Sequence, residues 1–313
     1  MASIGYMDYY LPSNTICVHE FFEKCKDELF PDPQNAAEVE KYFIEKAGFD
    51  KIAIEKERNI LGIFEELVQK YLDETNIDKN SIKYIFYTDI ATSLTDGGIT
   101  SVPNYIKEKF NIENASVSEI NQQCGSCVWT IGMASRLLRE NEVAIILTAN
   151  MMEGFTERYK PHSIIGDAAA IMEIKYSNDG IEILDFDFNT KQYEGEVGIN
   201  NNLEMMKVCS RTINNLLNRN GVSKDELACV LHQNLSIEIY EIIFCLLLEL
   251  NKDVLFWDNI KEIAHIGDAD LIANCRDVMK KRKMKKGDKM VFYAIGEISK
   301  SVNYNCILLQ VNN

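Results

Sequence analysis

The sequence predicts an α/β fold built from two similar halves. Three observations carry this reading. Apolar runs of strand length alternate with helical runs along the chain, the mark of an α/β protein. The order strand, turn, helix, strand occurs twice at long period, before and after residue 176. Reactive residue types, Cys124 in the first half and His232 and His265 in the second, fall at corresponding ends of those elements.

In the first half, EKYFIEKAGFDK and GIFEELVQKYLDE read as amphipathic surface helices. KYIFYTDI (83–90) is a buried strand. Residues 115–120 alternate as a strand, a tight polar stretch follows, and a helix starts near Cys127 and runs to about Leu138. EVAIILTAN (142–150) and AAAIMEIKY (168–176) are further buried strands, with KPHSIIG before the second read as a loop. The second half repeats the order. LACVLHQNL (227–235) is a strand ending at His232, and residues 261–281 give a short strand, a tight turn and a helix. DKMVFYAIG (288–296) and NYNCILLQV (303–311) are strands. The halves are residues 1–176 and 177–313. Corresponding turns would meet near a shared pseudo-two-fold axis, bringing Cys124 to the His265 turn with His232 close by.

Composition narrows the class. A hydrophobic fraction of 46% supports a substantial core, and a net charge of -15 argues against nucleic acid as a partner. The start of the chain has no signal-peptide pattern, and no stretch approaches the ~20 apolar residues of a membrane helix. Nine cysteines without regular spacing fit a reducing, cytoplasmic setting. Cys124 and Cys127 form a CxxC, but no second pair or Cys/His cluster follows, so neither a metal site nor a redox pair is expected. The sequence contains no Gly-rich dinucleotide motif and no P-loop. The basic run 280–289 is a solvated helix end or a docking site for an acidic carrier protein.

Cys124 carries the chemistry. A thiol between a strand end and a helix start meets the positive end of the helix dipole and free N–H groups, which favour a thiolate and can bind a tetrahedral oxyanion. A buried structural cysteine is the alternative. His232, at a strand end, is a candidate base, and His265 lies before a helix that begins near Asp268 or Asp270. The thiolate can take an acyl group from a thioester. Two imidazoles then either stabilise an enolate or deprotonate an acceptor. His19 and His162 are read as structural or surface residues.

These segments resemble the ketoacyl-ACP synthase III group of the thiolase superfamily. EINQQCGSC is similar to its nucleophile segment, SIIGDAAAIMEI to its Gly-Asp-Gly segment, VLHQNLSIEI to its His-Gln-Ala-Asn segment, and AGFDKIAIEKER to its Thr-Gly-Ile…Arg segment. The resemblance implies a thiolase-like five-layered αβαβα fold of two similar halves and a homodimer. It implies a covalent acyl-cysteine and substrates carried as coenzyme A or phosphopantetheine (acyl carrier protein) thioesters, with no other cofactor. Cys124 matches the nucleophile and His232 the first catalytic histidine. An ungapped count puts His265 at the third catalytic position; a gapped count puts Asp268 there. The backbone amides of Cys124 and Glu297 match the oxyanion donors, and Asn234 and Gly296 match substrate-binding positions. Only Gly296 remains of a run of three glycines. Together these departures point away from ordinary fatty-acid initiation. They suggest a specialised acyltransferase or condensing enzyme of lipid or natural-product biosynthesis. A non-catalytic partner subunit of a ketosynthase is the competing class; retention of Cys124 and His232 argues against it.

Overall fold

The structure is a computed structural model that describes residues 1–89, 101–194, 198 and 202–312. Strands are β1 (Ala2–Tyr10), β2 (Thr15–Cys17), β3 (Lys51–Ala53), β4 (Ile82–Asp89), β5 (Ser116–Ile120), β6 (Val143–Asn150), β7 (Tyr159–Lys160), β8 (Ser163–Ile164), β9 (Ala168–Tyr176), β10 (Ile181–Gln192), β11 (Leu227–His232), β12 (Lys289–Ile298) and β13 (Ser301–Val311). Helices are α1 (Val18–Leu29), α2 (Pro33–Tyr42), α3 (Ile60–Thr75), α4 (Val102–Lys109), α5 (Ser126–Leu137), α6 (Phe155–Arg158), α7 (Leu203–Arg219), α8 (Ile237–Tyr240), α9 (Asp258–Ile263) and α10 (Ala269–Lys281). Ile90, the last residue of the strand expected at 83–90, lies outside the described residues.

The strand order is β5-β4-β6-β9-β1 on one side and β10-β13-β12-β11 on the other, joined by two antiparallel pairs, Ser3 with Glu182 and Ile4 with Ile181. Each side runs the same way. β4 is parallel to β5 and β6, and β6 is antiparallel to β9. β11 is parallel to β12 and β12 antiparallel to β13. The position matching β5 is filled by a single parallel bridge from Val230 to Leu255. The turn before α5 and the turn before α10 therefore occupy equivalent places.

Helices set the layers. α5 touches β6 and β9 on one side and β10 and β13 on the other, and it packs on α10, which touches β1, β9 and β11. Cys127, Val128, Ile131 and Ala134 of α5 and Leu271, Ile272, Ala273 and Cys275 of α10 fill this central core. α3 and α4 cover the outer face of the first half-sheet, and α7 that of the second. The result is the αβαβα arrangement that the resemblance implied.

Three local expectations need correction. Residues 258–263 are helical rather than a strand: Ile260 and Ile263, three apart, bury one helical face, and Ala264, at φ 54, then reverses the chain into His265. The helix expected in EKYFIEKAGFDK is not a surface element throughout. α2 stops at Tyr42, a π-helical turn follows over Phe43–Ala47 with Phe43 and Ala47 buried, and Lys51–Ala53 is β3. GIFEELVQKYLDE, by contrast, is the amphipathic helix expected: in α3, Ile63, Phe64, Leu67, Val68 and Tyr71 are buried while Glu66, Gln69, Lys70, Asp73 and Glu74 are exposed. The KPHSIIG loop is a hairpin, with Lys160 paired to Ser163 and Tyr159 to Ile164 across Pro161 and His162.

Gly296 fixes the distance between the halves. A Cβ there would collide with the Gln122 carbonyl oxygen and lie 3.0 Å from the Gly125 nitrogen. Both are backbone atoms of the Cys124 turn and cannot rotate aside. Gly296→Ala should therefore lose about 1–3 kcal/mol or more in urea unfolding, as overpacked sites do. An unchanged midpoint would show that the turn can back away from β12.

Candidate active site

β5 ends at Ile120 and α5 starts at Ser126, so the intervening residues form a tight turn with Gln123 at φ 52. Its own groups close it. The Gly125 amide donates to the Gln122 carbonyl (3.2 Å) and the Ser126 amide to the Gln123 carbonyl (3.0 Å). The Ser126 hydroxyl accepts from the Gln122 amide (2.7 Å) and donates to the Gln123 carbonyl (2.6 Å). Two side chains of the second half clamp the turn from outside. Asn305 Nδ2 donates to Gln122 Oε1 (3.1 Å) and to the Gly125 carbonyl (2.9 Å). Gln233 Nε2 donates to the Cys124 carbonyl (2.7 Å) and the Ile295 carbonyl (3.1 Å), while its Oε1 accepts from the Ile295 amide (2.8 Å). A Cβ on Gly125 would lie 2.8 Å from Asn305 Nδ2, so glycine permits this approach.

The half-buried Cys124 sulfur lies 3.3 Å from His265 Nε2. His265 Nδ1 donates to Asp270 Oδ2. Asp270 is fully buried and also accepts from the Asn234 amide (2.7 Å) and the Ile266 amide (2.9 Å). The His265 backbone is fixed as well, its amide donating to the Ile164 carbonyl (3.2 Å) and its carbonyl accepting from the Gly166 amide (2.8 Å). Burial alone would depress the His265 imidazolium. The Asp270 carboxylate and the Cys124 sulfur outweigh it and hold that pKa above its ordinary value. Burial pushes the Cys124 thiol up, and His265 opposes it. Sulfur and imidazole thus titrate as one coupled pair. The sequence reading placed His265 beside Cys124 but did not single out Asp270 as its partner. The available signal was spacing: an acid in the first turn of a helix can face back across the turn that precedes it.

The other expected residues are distributed as follows. His232 is fully buried. Its Nδ1 donates to the Gln233 carbonyl (2.7 Å), its Nε2 has no partner, and its ring packs 3.9 Å from that of Tyr240. Burial lowers its pKa to about 4, so the ring is neutral at pH 7. Asn234 lies behind His265: its Oδ1 accepts from Asn274 (2.9 Å) and its amide binds Asp270. Asp268 is fully buried beside Thr88, Ser126 and the Cys127 amide, although neither of its oxygens makes a well-formed hydrogen bond. Burial raises its pKa to about 7 despite those donors. Cys127, the other half of the CxxC, packs in the central core.

A cavity of about 230 Å³ opens at the sulfur. Cys124, His265, Ile165, Leu235, Ile295 and Glu297 contribute to its lining, and so do Lys160 and His162 of the β7–β8 hairpin. His232, Asn234, Gly296 and Asp268 do not line it. Gly296 instead packs on the Cys124 turn. The Ile295 amide and carbonyl face Gln233. Backbone groups alternate along a strand, so those of Glu297 face the same edge as those of Ile295.

No protein-family model and no curated protein sequence matches the chain. Solved structures do. ChlB3, titled an acyltransferase, superposes with a TM-score of 0.78 at 15% identity, covering 100% of this chain and 98% of that one. 3-Oxoacyl-[acyl-carrier-protein] synthase III from Aquifex aeolicus gives 0.76 at 15%, covering 99% and 100%. OleA from Xanthomonas campestris with bound cerulenin gives 0.79 at 15%, covering 99% and 98%. This is the fold of 3-oxoacyl-ACP synthase III. The thiolase-like fold places the Cys124 turn and the His265 turn at equivalent helix starts, as the strand order already required.

Two variants test these electrostatics. An opposite charge moves a neighbouring pKa by roughly 1–3, so Asp270→Asn should slow iodoacetamide alkylation of Cys124 at neutral pH by about tenfold or more; an unchanged rate would mean that His265 needs no carboxylate. Asp268, raised from 3.8 to about 7, makes the folded state lose stability as pH climbs through that interval. Asp268→Asn should remove this slope, gaining on the wild type by about 3 kcal/mol between about pH 5 and about pH 8 in urea titrations. Parallel pH profiles would argue against it.

Proposed function

We propose that this protein is a cysteine-dependent acyltransferase. Cys124 takes an acyl group from a coenzyme A or acyl carrier protein thioester and passes it to a hydroxyl or amine acceptor. The observation that carries the reading is the line Cys124 Sγ, His265, Asp270, with the sulfur 3.3 Å from an imidazole whose far nitrogen is held by a buried carboxylate. This is the logic of a nucleophile, a proton carrier and an orienting acid. In the first half-reaction the thiolate attacks the donor thioester, and the His265 proton leaves with the donor thiol. The amides of Cys124 and Glu297 are assigned to the oxyanion.

Decarboxylative condensation, the other expected route, needs two donors on the enolate oxygen. His232 donates through Nδ1 to the Gln233 carbonyl, so its Nε2 carries a lone pair and cannot serve as the second donor in that tautomer. The second half-reaction of acyl transfer instead needs a base. Two neutral imidazoles with an unpartnered nitrogen are present, His232 and His162.

The neighbours support thioester chemistry on this fold: one is titled an acyltransferase, and a cysteine-to-serine OleA structure carries lauric acid and lauroyl-CoA. A homodimer is proposed through β5, the exposed strand at one end of the sheet among the described residues. Among the described residues no helix is long and apolar enough to cross a membrane, and a cytoplasmic setting is part of the proposal.

Intact-mass measurement after incubation with acetyl-CoA tests the core of it. Wild type and Cys127→Ala should gain one acetyl group, and Cys124→Ala none. Equal loading of all three, or of none, would reject a Cys124 acyl-enzyme, and the latter would favour a non-catalytic subunit.

A further inference from the structure

We propose that His162 is the general base of the second half-reaction, removing the proton of the acceptor as it attacks acyl-Cys124. The inference rests on the acyltransferase reading and names the residue that reading leaves open.

The argument is one of placement. His162 sits in the two-residue loop of the β7–β8 hairpin and lines the cavity that holds the Cys124 sulfur. Its Nδ1 is buried and has no hydrogen-bond partner, an arrangement that costs free energy unless a bound group completes it. Burial, aided by the positive fields of His265 and Lys160, lowers its pKa to about 4 and keeps the ring neutral. His232 shares the neutral ring and the unpartnered nitrogen but not the cavity wall. His265 is committed to Asp270 and to the sulfur.

The hairpin is fixed to the machinery it serves. Ile164 accepts from the His265 amide, and Gly166 donates to the His265 carbonyl. Beneath them the buried Arg158 guanidinium binds both oxygens of Asp167 (2.7 and 2.8 Å) and the Ile165 carbonyl (3.2 Å). The Ile165 amide returns to the Arg158 carbonyl (2.9 Å). His162 and His265 therefore stand on two segments of one hydrogen-bonded unit, and both line the cavity. Ile165, Leu235 and Ile295 give that cavity an apolar part of its wall beside the polar groups of Lys160, Ser163 and Glu297.

The step balances. The acceptor oxygen or nitrogen forms a bond to the acyl carbon, and its proton moves to His162. The C–S bond breaks and its electron pair stays on the Cys124 sulfur. The proton then passes through the cavity to His265, restoring the thiolate–imidazolium pair. No oxidant or further reactant is required.

The test starts from enzyme acetylated with acetyl-CoA, and follows release of the acetyl group to n-butanol by mass. His162→Gln should load normally but transfer about 10²–10⁴-fold more slowly, the usual worth of a positioned base. Hydroxylamine, which needs no base, should strip the acetyl group from wild type and His162→Gln at equal rates. Added imidazole should restore transfer in His162→Ala. Transfer by His162→Gln within twofold of wild type, or a loss in His232→Gln with His162→Gln unaffected, would overturn the inference while leaving the acyltransferase reading intact. Unequal hydroxylamine release would assign His162 to structure and overturn it too. A wild type that never acetylates would reject the acyltransferase reading itself and this role with it.

Discussion

The buried carboxylate of Asp270 holds the centre of the molecule together. It receives the His265 ring, the Ile266 amide and the Asn234 amide, and so ties the tip of β11, the reversal at Ala264 and the first turn of α10 to one point. A charge removed from water is tolerated only when its lone pairs are filled and a countercharge is near. Three donors meet that demand, the His265 ring among them as the countercharge. Their geometry also decides which way the His265 ring faces, and hence whether a sulfur on the other half of the fold finds a proton partner.

The two halves contribute unlike parts to one site. The first supplies the sulfur on a turn under backbone strain at Gln123. The second adds the clamp that holds the turn from outside: Asn305 from β13, Gln233 after β11, and Gly296, whose missing side chain lets β12 approach. The polar network is dense because the interface between half-sheets is otherwise apolar, and each polar group there needs a partner.

Much of this was legible in the sequence. Strands β4, β6, β9, β11, β12 and β13 follow apolar runs that announce burial on both faces. β1 and β10 were not read as strands, and each has the same cause. In β1 the register shifts between Ile4 and Met7, and in β10 between Ile183 and Asp185. A bulge inserts one residue and inverts the in–out alternation, so neither segment keeps a single period of two. In the site, Cys124 and His265 could be paired because both precede helices in a repeated order. Asp270 left only the signal of its place in a first helical turn, and His162 left none, since its placement depends on a hairpin docking a hundred residues away in sequence. Asn234 and Gly296 occupy expected positions, but their surroundings are protein rather than open cavity.

The cavity at the sulfur has a capacity as well as a lining. Its 230 Å³ equals the liquid volume of about seven or eight water molecules at roughly 30 Å³ each. On the acyltransferase reading, that space suits a short acyl group and a small acceptor together, or a medium acyl group alone. Its apolar boundary is made by Ile165, Leu235 and Ile295, none of which uses its side chain to hold Cys124, His265 or Asp270. On that reading, the acyl chain length accepted can change through these three positions with Cys124, His265 and Asp270 left in place. A single exchange of leucine for alanine would enlarge the chamber at a site where the clamp on the nucleophile is carried by other residues.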